Sequence, residues 1–149
     1  FKKKSKIEDS VFFFKVPNSS AEKGDANIMF YATRYDYLRI GKAMLDDWQK
    51  DTCVGKYLKT LFENRISKET KKRESEGRVG QYPYARGYAG QFQTHYEGIN
   101  KNRAVMGMHG YGGQRIVIDF ERSRIIVTNA LFENYNYKKI VYSVIKKGK

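Results

Sequence analysis

The sequence predicts an α+β fold, in which antiparallel strands carry a C-terminal helix and follow a pair of helices. Three observations support this class. Two stretches in the first half repeat apolar residues at helical spacing, whereas the second half consists of short segments rich in β-branched residues. The connections between these later segments are short, which favours antiparallel hairpins over parallel crossovers. A chain of 149 residues has the length of one domain.

The N-terminal part predicts a strand, a loop and a helix. The apolar run at residues 11–16 ends at Pro17, which is typical of a strand or a buried extended segment. Turn-forming residues then predict a loop over residues 18–27. Thr33 is expected to cap a helix of about four turns, and Asp36 stands three residues later as in a capping box.

A second helix and a charged stretch follow. The second helix is predicted from an apolar stripe at i, i+3, i+4, i+7 and i+8, formed by Val54, Tyr57, Leu58, Leu61, Phe62 and Ile66. The joint to the first helix is short, so we expect the two helices to pack as neighbours. Residues 67–80 have almost no apolar side chain to bury, and they are predicted to form a charged, solvated excursion.

The remaining residues predict strands and a terminal helix. Extended segments are expected at residues 88–96, 103–108, 114–119 and 124–129, and the short connection between the last two implies an antiparallel hairpin. Apolar residues and late lysines predict a final helix around Ile140, Val141, Val144 and Ile145.

Composition excludes several classes of site. The single cysteine, Cys53, excludes an internal disulfide, and with His95 and His109 it supplies too few ligands for a structural zinc site with four nitrogen or sulfur ligands. We therefore expect no metal and no other cofactor. No apolar run approaches the ~18 residues of a membrane span, so no transmembrane segment is predicted in this chain.

The net charge of +13 raises the question of an anionic partner. The basic residues fall in an N-terminal cluster, a central tract and a C-terminal tail, and no nucleic-acid-binding motif joins them. We interpret most of this charge as solvated surface, and nucleic acid is not the partner we expect. The alternative is a basic, non-catalytic module that binds nucleic acid or another polyanion.

A cluster of glycines lies between two of the predicted strands. The segment MGMHGYGGQ (residues 106–114) places four glycines between Gly107 and Gly113. Glycine within a sheet costs about 0.5–1 kcal/mol relative to alanine, so the cluster needs a reason. Two explanations stay open: the main chain approaches a ligand closely, or the segment is a bulged hairpin.

Three landmarks occur in an order that suggests a family. The helix start YATRYDYLRIG (residues 31–41) is similar to A-T-A-R-D-L-A-R-F-G, RGYAGQF (residues 86–92) looks like a Y-G-x-x-x strand, and GYGGQRIVID (residues 110–119) is similar to G-H-G-G-Q-x-x-x-V-D-P. Over about residues 28–145 the chain thus resembles the serine β-lactamase-like family, which includes class C β-lactamases, DD-peptidases, esterases and 6-aminohexanoate-dimer hydrolases. Phe120 stands where the family pattern has proline.

The resemblance implies the C-terminal segment of a serine hydrolase that acts on an ester, an amide or a D-amino-acid peptide. Such enzymes use a Ser-x-x-Lys motif, a Tyr-x-Asn motif and a third strand that lends a backbone N–H to the oxyanion hole. Only the third part is expected here. The strings Ser20 to Lys23 and Ser143 to Lys146 are not placed as in the family, and Tyr-x-Asn does not occur. We therefore expect a partial domain that is inactive without the N-terminal portion of the same domain.

The resemblance also implies a substrate and oxyanion wall, with no catalytic residue in this chain. Its members are His109, Gly110, Tyr111, Gly112, Gly113 and Gln114. The backbone N–H of Tyr111 or of Gly112 is the expected oxyanion donor. Either Tyr111 stands where many members have His, or His109 is the His of an H-x-G variant.

Overall fold

The computed structural model describes residues 2–17, 26–68, 85–110, 113–129, 135 and 137–146. The helices in these ranges are α1 (Lys2–Ser5), α2 (Arg34–Gln49), α3 (Cys53–Glu63) and α4 (Tyr137–Val141), which continues into a π-helical turn (Tyr142–Lys146). The strands are β1 (Phe12–Pro17), β2 (Ala26–Tyr31), β3 (Ile66–Ser67), β4 (Ala85–Ala89), β5 (Phe92–Tyr96), β6 (Val105–His109), β7 (Arg115–Asp119) and β8 (Arg124–Thr128).

The strands form two antiparallel sheets. Strands β1 and β2 pair with each other, and strands β3 to β8 form a six-stranded sheet in sequence order. Every adjacent pair in the larger sheet is antiparallel, as expected when short connections join consecutive strands. Helices on an antiparallel sheet, with a helix at the C-terminal end, confirm the predicted α+β class.

The central strands β6 and β7 are buried on both faces. Met106 and Ile118 pair across the two strands and belong to a core that includes Leu45 of α2 and Phe62 of α3.

A second core lies on the opposite face of the sheet, because the side chains of neighbouring residues in a strand point to alternate faces. There Val105 and Val117 belong to this second core, which Val141 of α4 and Ile145 of the π-helical turn complete. The sheet is therefore covered by α2 and α3 on one side and by the C-terminal helix on the other.

Both main helices begin at threonine caps. Thr33 accepts a hydrogen bond from the Asp36 backbone N–H at 3.2 Å, and Thr52 accepts one from the Gly55 N–H at 3.2 Å. These bonds satisfy amide groups that a helix start leaves without a helical partner. The cap predicted at Thr33 is therefore confirmed, and so is the neighbouring packing of α2 and α3, in which Gly55 lies against the Asp47 carbonyl.

The Asp36 carboxylate has a different role from the capping box that the sequence suggested. It accepts hydrogen bonds from the backbone N–H groups of Glu8 and Asp9 at 3.2 and 3.0 Å, and from Arg39 at 2.9 Å. Burial raises the pKa of Asp36, but these bonds and the Arg39 charge outweigh burial and hold the pKa below its ordinary value. Asp36 thus attaches the N-terminal segment to the first turn of α2.

Two assignments from the sequence, one of a loop and one of a strand, were wrong. Residues 26–27, predicted as loop, begin β2, and the loop residues 18–25 lie outside the described residues. Residues 88–96, predicted as one strand, belong to β4 and β5, because Gly90 and Gln91 form a tight turn between them with φ of +49° and +76°. That turn lacks the Asn-Gly or Asp-Gly pair that usually marks a hairpin.

The apolar stripe predicted for the second helix is wider than the face that α3 buries. Tyr57 is 61% exposed and Val54 is 43% exposed, although Leu58 and Phe62 of the same helix are buried. Ile66 lies beyond the end of α3, in the short strand β3. The reason is geometric, because the sheet covers only the side of α3 that carries Leu58 and Phe62. Phe12 and Phe13 of the apolar run are likewise 60% and 66% exposed, so these two residues of β1 lie in a strand without being buried.

The charged excursion predicted over residues 67–80 begins later than expected. Ser67 pairs with Gly87 in β3, and the Lys68 N–H donates to the Arg86 carbonyl at 2.8 Å. Residues 69–80 lie outside the described residues.

The contact between α2 and α3 predicts an unusual result for a glycine-to-alanine change. Alanine favours a helix by up to about 1 kcal/mol over glycine. A Cβ on Gly55, however, would lie 2.0 Å from the Asp47 carbonyl oxygen. We expect Gly55→Ala to lower the free energy of unfolding by about 2 kcal/mol, because the helices must move apart. Urea unfolding followed by circular dichroism measures the change.

Gly41→Ala is the matched control within α2. A Cβ at Gly41 meets only side-chain methyl groups, the nearest being Ile125 Cγ2 at 3.1 Å. Those side chains can shift, whereas the Asp47 backbone is held by both helices. An equal or larger loss of stability in Gly41→Ala would contradict the backbone contact as the cause.

Candidate functional site

The glycine cluster forms the end of the β6–β7 hairpin. His109, the last residue of β6, pairs with Arg115, the first residue of β7. The Gly110 N–H donates to the Gln114 carbonyl at 2.7 Å and closes the hairpin beyond this pair. Four members of the predicted wall, His109, Gly110, Gly113 and Gln114, therefore lie together at one hairpin end. Tyr111 and Gly112, the predicted oxyanion donors, lie outside the described residues.

The hairpin end extends past its neighbour in the sheet. Strand β5 pairs with β6 through Gln93 and Gly107. Two residues further along, His109 is level with Gln91, which belongs to the tight turn between β4 and β5. In the described part of the chain, no strand lies beside Gly110 on this side, and Gly110 is exposed. The main chain of β6 thus reaches a margin of the sheet.

The His109 side chain lies on the face that the C-terminal helix covers. Its Nε2 atom is 3.0 Å from the Tyr96 hydroxyl, and Tyr96 is part of the core on that face. Gly107 makes room for this contact, because a Cβ there would lie 2.0 Å from the Tyr96 hydroxyl oxygen. The absence of a side chain at Gly107 is therefore required by the packing of Tyr96.

His109 is neutral at physiological pH. Burial, followed by the positive charges of Arg115 and Lys68, lowers its pKa to about 3. All three influences disfavour the imidazolium form. The site therefore holds a neutral imidazole in a region of positive potential.

Arg115 is positioned by Tyr135, which comes two residues before the C-terminal helix. Its guanidinium carbon lies 5.4 Å from the centre of the Tyr135 ring, which is a cation–π arrangement. The Tyr135 hydroxyl donates to the Gly113 carbonyl at 2.8 Å and lies 2.9 Å from the Thr128 hydroxyl. Tyr135 thus fixes Arg115 and the hairpin together, and the Gly113 carbonyl serves this structural contact.

Lys68 reaches the site from the opposite edge of the sheet. Its Nζ atom donates to the Gln93 side-chain oxygen and lies 5.6 Å from the centre of the Tyr88 ring. Because Gln93 pairs with Gly107, this contact brings the ammonium group to the face that carries His109. Sequence reasoning missed Lys68, Arg115 and Tyr96. Arg115 could have been found from the register of the hairpin, whereas nothing local distinguishes Lys68 from the other lysines.

The one Ser-x-x-Lys string within the described residues is not arranged as a nucleophile and base. The Ser143 hydroxyl donates to the Ile140 carbonyl at 2.9 Å, and the Lys146 ammonium lies 4.9 Å from the centre of the Tyr142 ring. The string from Ser20 to Lys23 lies outside the described residues. Within those residues, no group of three or more His, Cys, Asp and Glu side chains could hold a metal ion. No described helix is long and apolar enough to span a membrane.

His95 has a structural contact. Arg65 Nε donates to His95 Nε2 at 2.7 Å, and the Arg65 guanidinium stacks on Phe62, 4.1 Å from the ring centre. Burial, with the charges of Arg65 and Lys101, lowers the pKa of His95. The contact ties the end of α3 to β5.

Comparisons of the chain with protein-family models, with curated proteins and with solved structures found no match. The resemblance to the serine β-lactamase-like family therefore stays a prediction.

The close approach at Gly107 predicts a loss of stability that a second change relieves. In Gly107→Ala the new methyl group displaces the Tyr96 hydroxyl, so we expect the free energy of unfolding to fall by about 1–3 kcal/mol. Tyr96→Phe removes the atom with which the methyl group collides. The double variant should then lose less than the sum of the two single losses, measured by urea unfolding. Strict additivity of the two losses would contradict the contact.

The lowered histidine pKa values predict a stability that falls with acidification. An unfolded histidine has a pKa of about 6.5, so below this pH the unfolded chain binds protons that folded His109 and His95 do not. As the pH falls from 6.5 to 5, we expect the effect of His109 alone to lower the free energy of unfolding by about 2 kcal/mol. Asp36, Asp47 and Asp51, whose pKa values are lowered, affect stability only below about pH 5.

Urea unfolding of the wild type and of His109→Gln at pH 7, 6 and 5 measures this effect. The variant should show a flatter dependence on pH, and His95→Gln should flatten it less. Parallel curves for the wild type and His109→Gln would show that His109 is not the group concerned.

Proposed function

We propose that this chain is the C-terminal segment of a serine hydrolase domain similar to the β-lactamase-like family. The domain acts on an ester, an amide or a D-amino-acid peptide, and its nucleophile and base belong to an N-terminal portion of the same domain. The observation that carries the proposal is the position of the glycine-rich hairpin, where His109 and Gly110 lie at a margin of the sheet, level with the β4–β5 turn.

The hairpin supports a role in binding a reacting carbonyl group. Main-chain N–H groups at a sheet margin can donate to an oxyanion, provided that they are held rigidly. The flanking strands β6 and β7 are buried on both faces, which supplies this rigidity. The Gly110 N–H already donates within the hairpin, so Tyr111 and Gly112 remain the donors in this proposal.

His109 contributes binding rather than proton transfer. A general base works best when its pKa lies near the working pH. An imidazole with a pKa of about 3 is a weak proton acceptor at neutral pH. Its neutral ring can still form hydrogen bonds with a substrate beside the hairpin. The base that activates the serine therefore belongs to the N-terminal portion.

The alternative of a basic binding module receives less support from the described lysines. Several of them form ion pairs with acidic residues of α2 and of the turn that follows it, where Lys4 pairs with Asp47, Lys42 with Asp46 and Lys59 with Asp51. A surface that binds the nucleic-acid backbone instead gathers its cations on one face.

The coding region before Phe1 provides the first test. We expect it to encode Ser-x-x-Lys at a helix start and Tyr-x-Asn, ~100 or more residues before Tyr31. A fluorophosphonate probe should label that serine in the longer protein, which should hydrolyse p-nitrophenyl acetate. Residues 1–149 alone should show neither reaction. An unrelated domain or a stop codon before Phe1, or labelling within residues 1–149, would contradict the proposal.

Substitutions at Gly112 test the hairpin in the longer protein. Gly112→Pro removes the amide hydrogen and should lower kcat by about 100-fold or more, as the loss of an oxyanion-hole donor does. Gly112→Ala keeps that hydrogen and serves as the control, so it should retain most of the kcat. Equal kcat values for the two variants, with circular dichroism unchanged, would exclude the Gly112 N–H as a donor.

A further inference from the structure

We propose that residues 4–9 form a strap that is held against α2 and opens as one unit while both cores stay folded. The strap begins in α1 and ends three residues before β1. It lies against the face of α2 that carries the buried residues Asp36 and Asp47. Opening of the strap goes beyond the proposed function and does not depend on it, because it involves only contacts of the N-terminal segment with α2 and its cap.

Asp36 and Asp47 hold the two ends of the strap. The backbone N–H groups of Glu8 and Asp9 donate to the Asp36 carboxylate. At the other end, the Lys4 ammonium donates to the Asp47 carboxylate at 2.7 Å. Eleven residues make about three helical turns, so the two carboxylates lie on one face of α2, about 16 Å apart along its axis. One is in the first turn of α2 and the other is in the last, so the strap runs antiparallel to the helix.

The strap is attached by polar contacts. Its one apolar residue, Ile7, is partly exposed and belongs to neither of the two cores. The Glu8 carboxylate pairs with Arg39, and the Asp9 carboxylate accepts a hydrogen bond from the Thr33 hydroxyl at 2.9 Å. Water can replace contacts of this kind, so each contributes little net stability. Opening the strap therefore costs much less free energy than exposing a core.

Both carboxylates keep a partner when the strap opens. Asp36 also accepts a hydrogen bond from Arg39 at 2.9 Å, and Asp47 accepts one from the Thr52 hydroxyl at 2.7 Å. Water reaches them once the strap has left, so no charge stays buried without a partner, which is what makes the breaking of a buried ion pair costly. Lys6 has a φ of +51°, which a residue with a Cβ disfavours, and opening relaxes it.

The strap controls the exposure of an acidic face of α2. In the closed form Asp36 has no exposed surface and Asp47 is 6% exposed. The open form exposes both carboxylates and frees the Lys4 ammonium. The two forms therefore differ in surface charge, although the sheet and its two covering layers are the same.

Hydrogen exchange of the backbone amides in the full chain tests the strap. The Glu8 and Asp9 amides report on the strap, and the Val117 and Ile118 amides report on the sheet, because β7 lies between two other strands. NMR measures both sets at pH 7 and at urea concentrations below the unfolding transition. We expect exchange of the strap amides to depend little on urea, because opening exposes little surface, and exchange of the sheet amides to depend strongly on it.

Lys4→Met tests whether the strap opens as one unit. It removes the contact with Asp47, at the end of the strap away from the Glu8 and Asp9 amides. If the two ends open together, these amides should exchange about tenfold faster or more, as expected for the loss of a charge-assisted hydrogen bond. Lys3→Met is the matched control, because it removes the same charge from an exposed position of the same helix. It should leave the exchange of the strap amides unchanged.

A second pair of variants tests the other end. Asp36→Asn removes the charge that the strap amides contact, and it should also speed their exchange about tenfold or more. Asp46→Asn removes a carboxylate that pairs with Lys42 on the exposed side of α2, and it should leave their exchange unchanged. If Asp36→Asn fails to fold, Lys4→Met still tests the strap.

The outcomes are distinct. Faster exchange of the strap amides in Lys4→Met, with a smaller change at the sheet amides, supports the strap. An effect no larger than that of Lys3→Met, or equal acceleration of both sets of amides, overturns it. The same urea dependence for strap and sheet amides in the wild type also overturns it, because the strap would then open only when the whole chain unfolds. A stop codon before Phe1 would contradict the proposed function and leave the strap intact.

Discussion

Burial on both faces of the β6–β7 pair is the constraint on which the rest of the sheet depends, because Met106 and Val117, which face opposite sides, have no exposed surface. Each face therefore requires a covering layer. Helices α2 and α3 supply one layer, and the C-terminal helix with its π-helical turn supplies the other. Arg103 secures the second layer, since its guanidinium contacts both the buried Asp119 carboxylate and the Ile145 carbonyl.

This packing also explains the electrostatics at the hairpin end. Along β6, the face towards the C-terminal helix changes from apolar Val105 to polar His109 within four residues. Tyr96 belongs to the same core as Val105, and its hydroxyl contacts His109. Charges that lie beside an apolar core are less screened than charges in water. The charges of Arg115 and Lys68 therefore reinforce the effect of burial on the His109 pKa. A fixed main chain and a neutral imidazole in a positive potential both follow from the position of the hairpin above the core.

The sequence predicted the elements that carry local signals. Local signals predicted the cap at Thr33, the helices α2 and α3, and the β-branched strands β7 and β8. In each case the residues that give the signal lie close together in the sequence. The division of β4 from β5 could not be found in this way, because Gln91 adopts a positive φ that its residue type does not favour. The arrangement of Lys68, Tyr96 and Arg115 depends on strand order across the sheet, which no local pattern contains. His109 and its glycines were found because they are adjacent in sequence.

The two explanations of the glycine cluster apply to different glycines. Gly107 is required by packing, since the Tyr96 hydroxyl occupies the space of a side chain there, and Gly113 is required by its φ of +88°. Neither needs a ligand. At Gly110 a Cβ would find its nearest contact at 3.3 Å, with the Gln114 Cβ, so packing restricts this position much less than Gly107. Among the described glycines of the cluster, Gly110 is therefore the one at which a close approach of a ligand to the main chain stays open as the explanation.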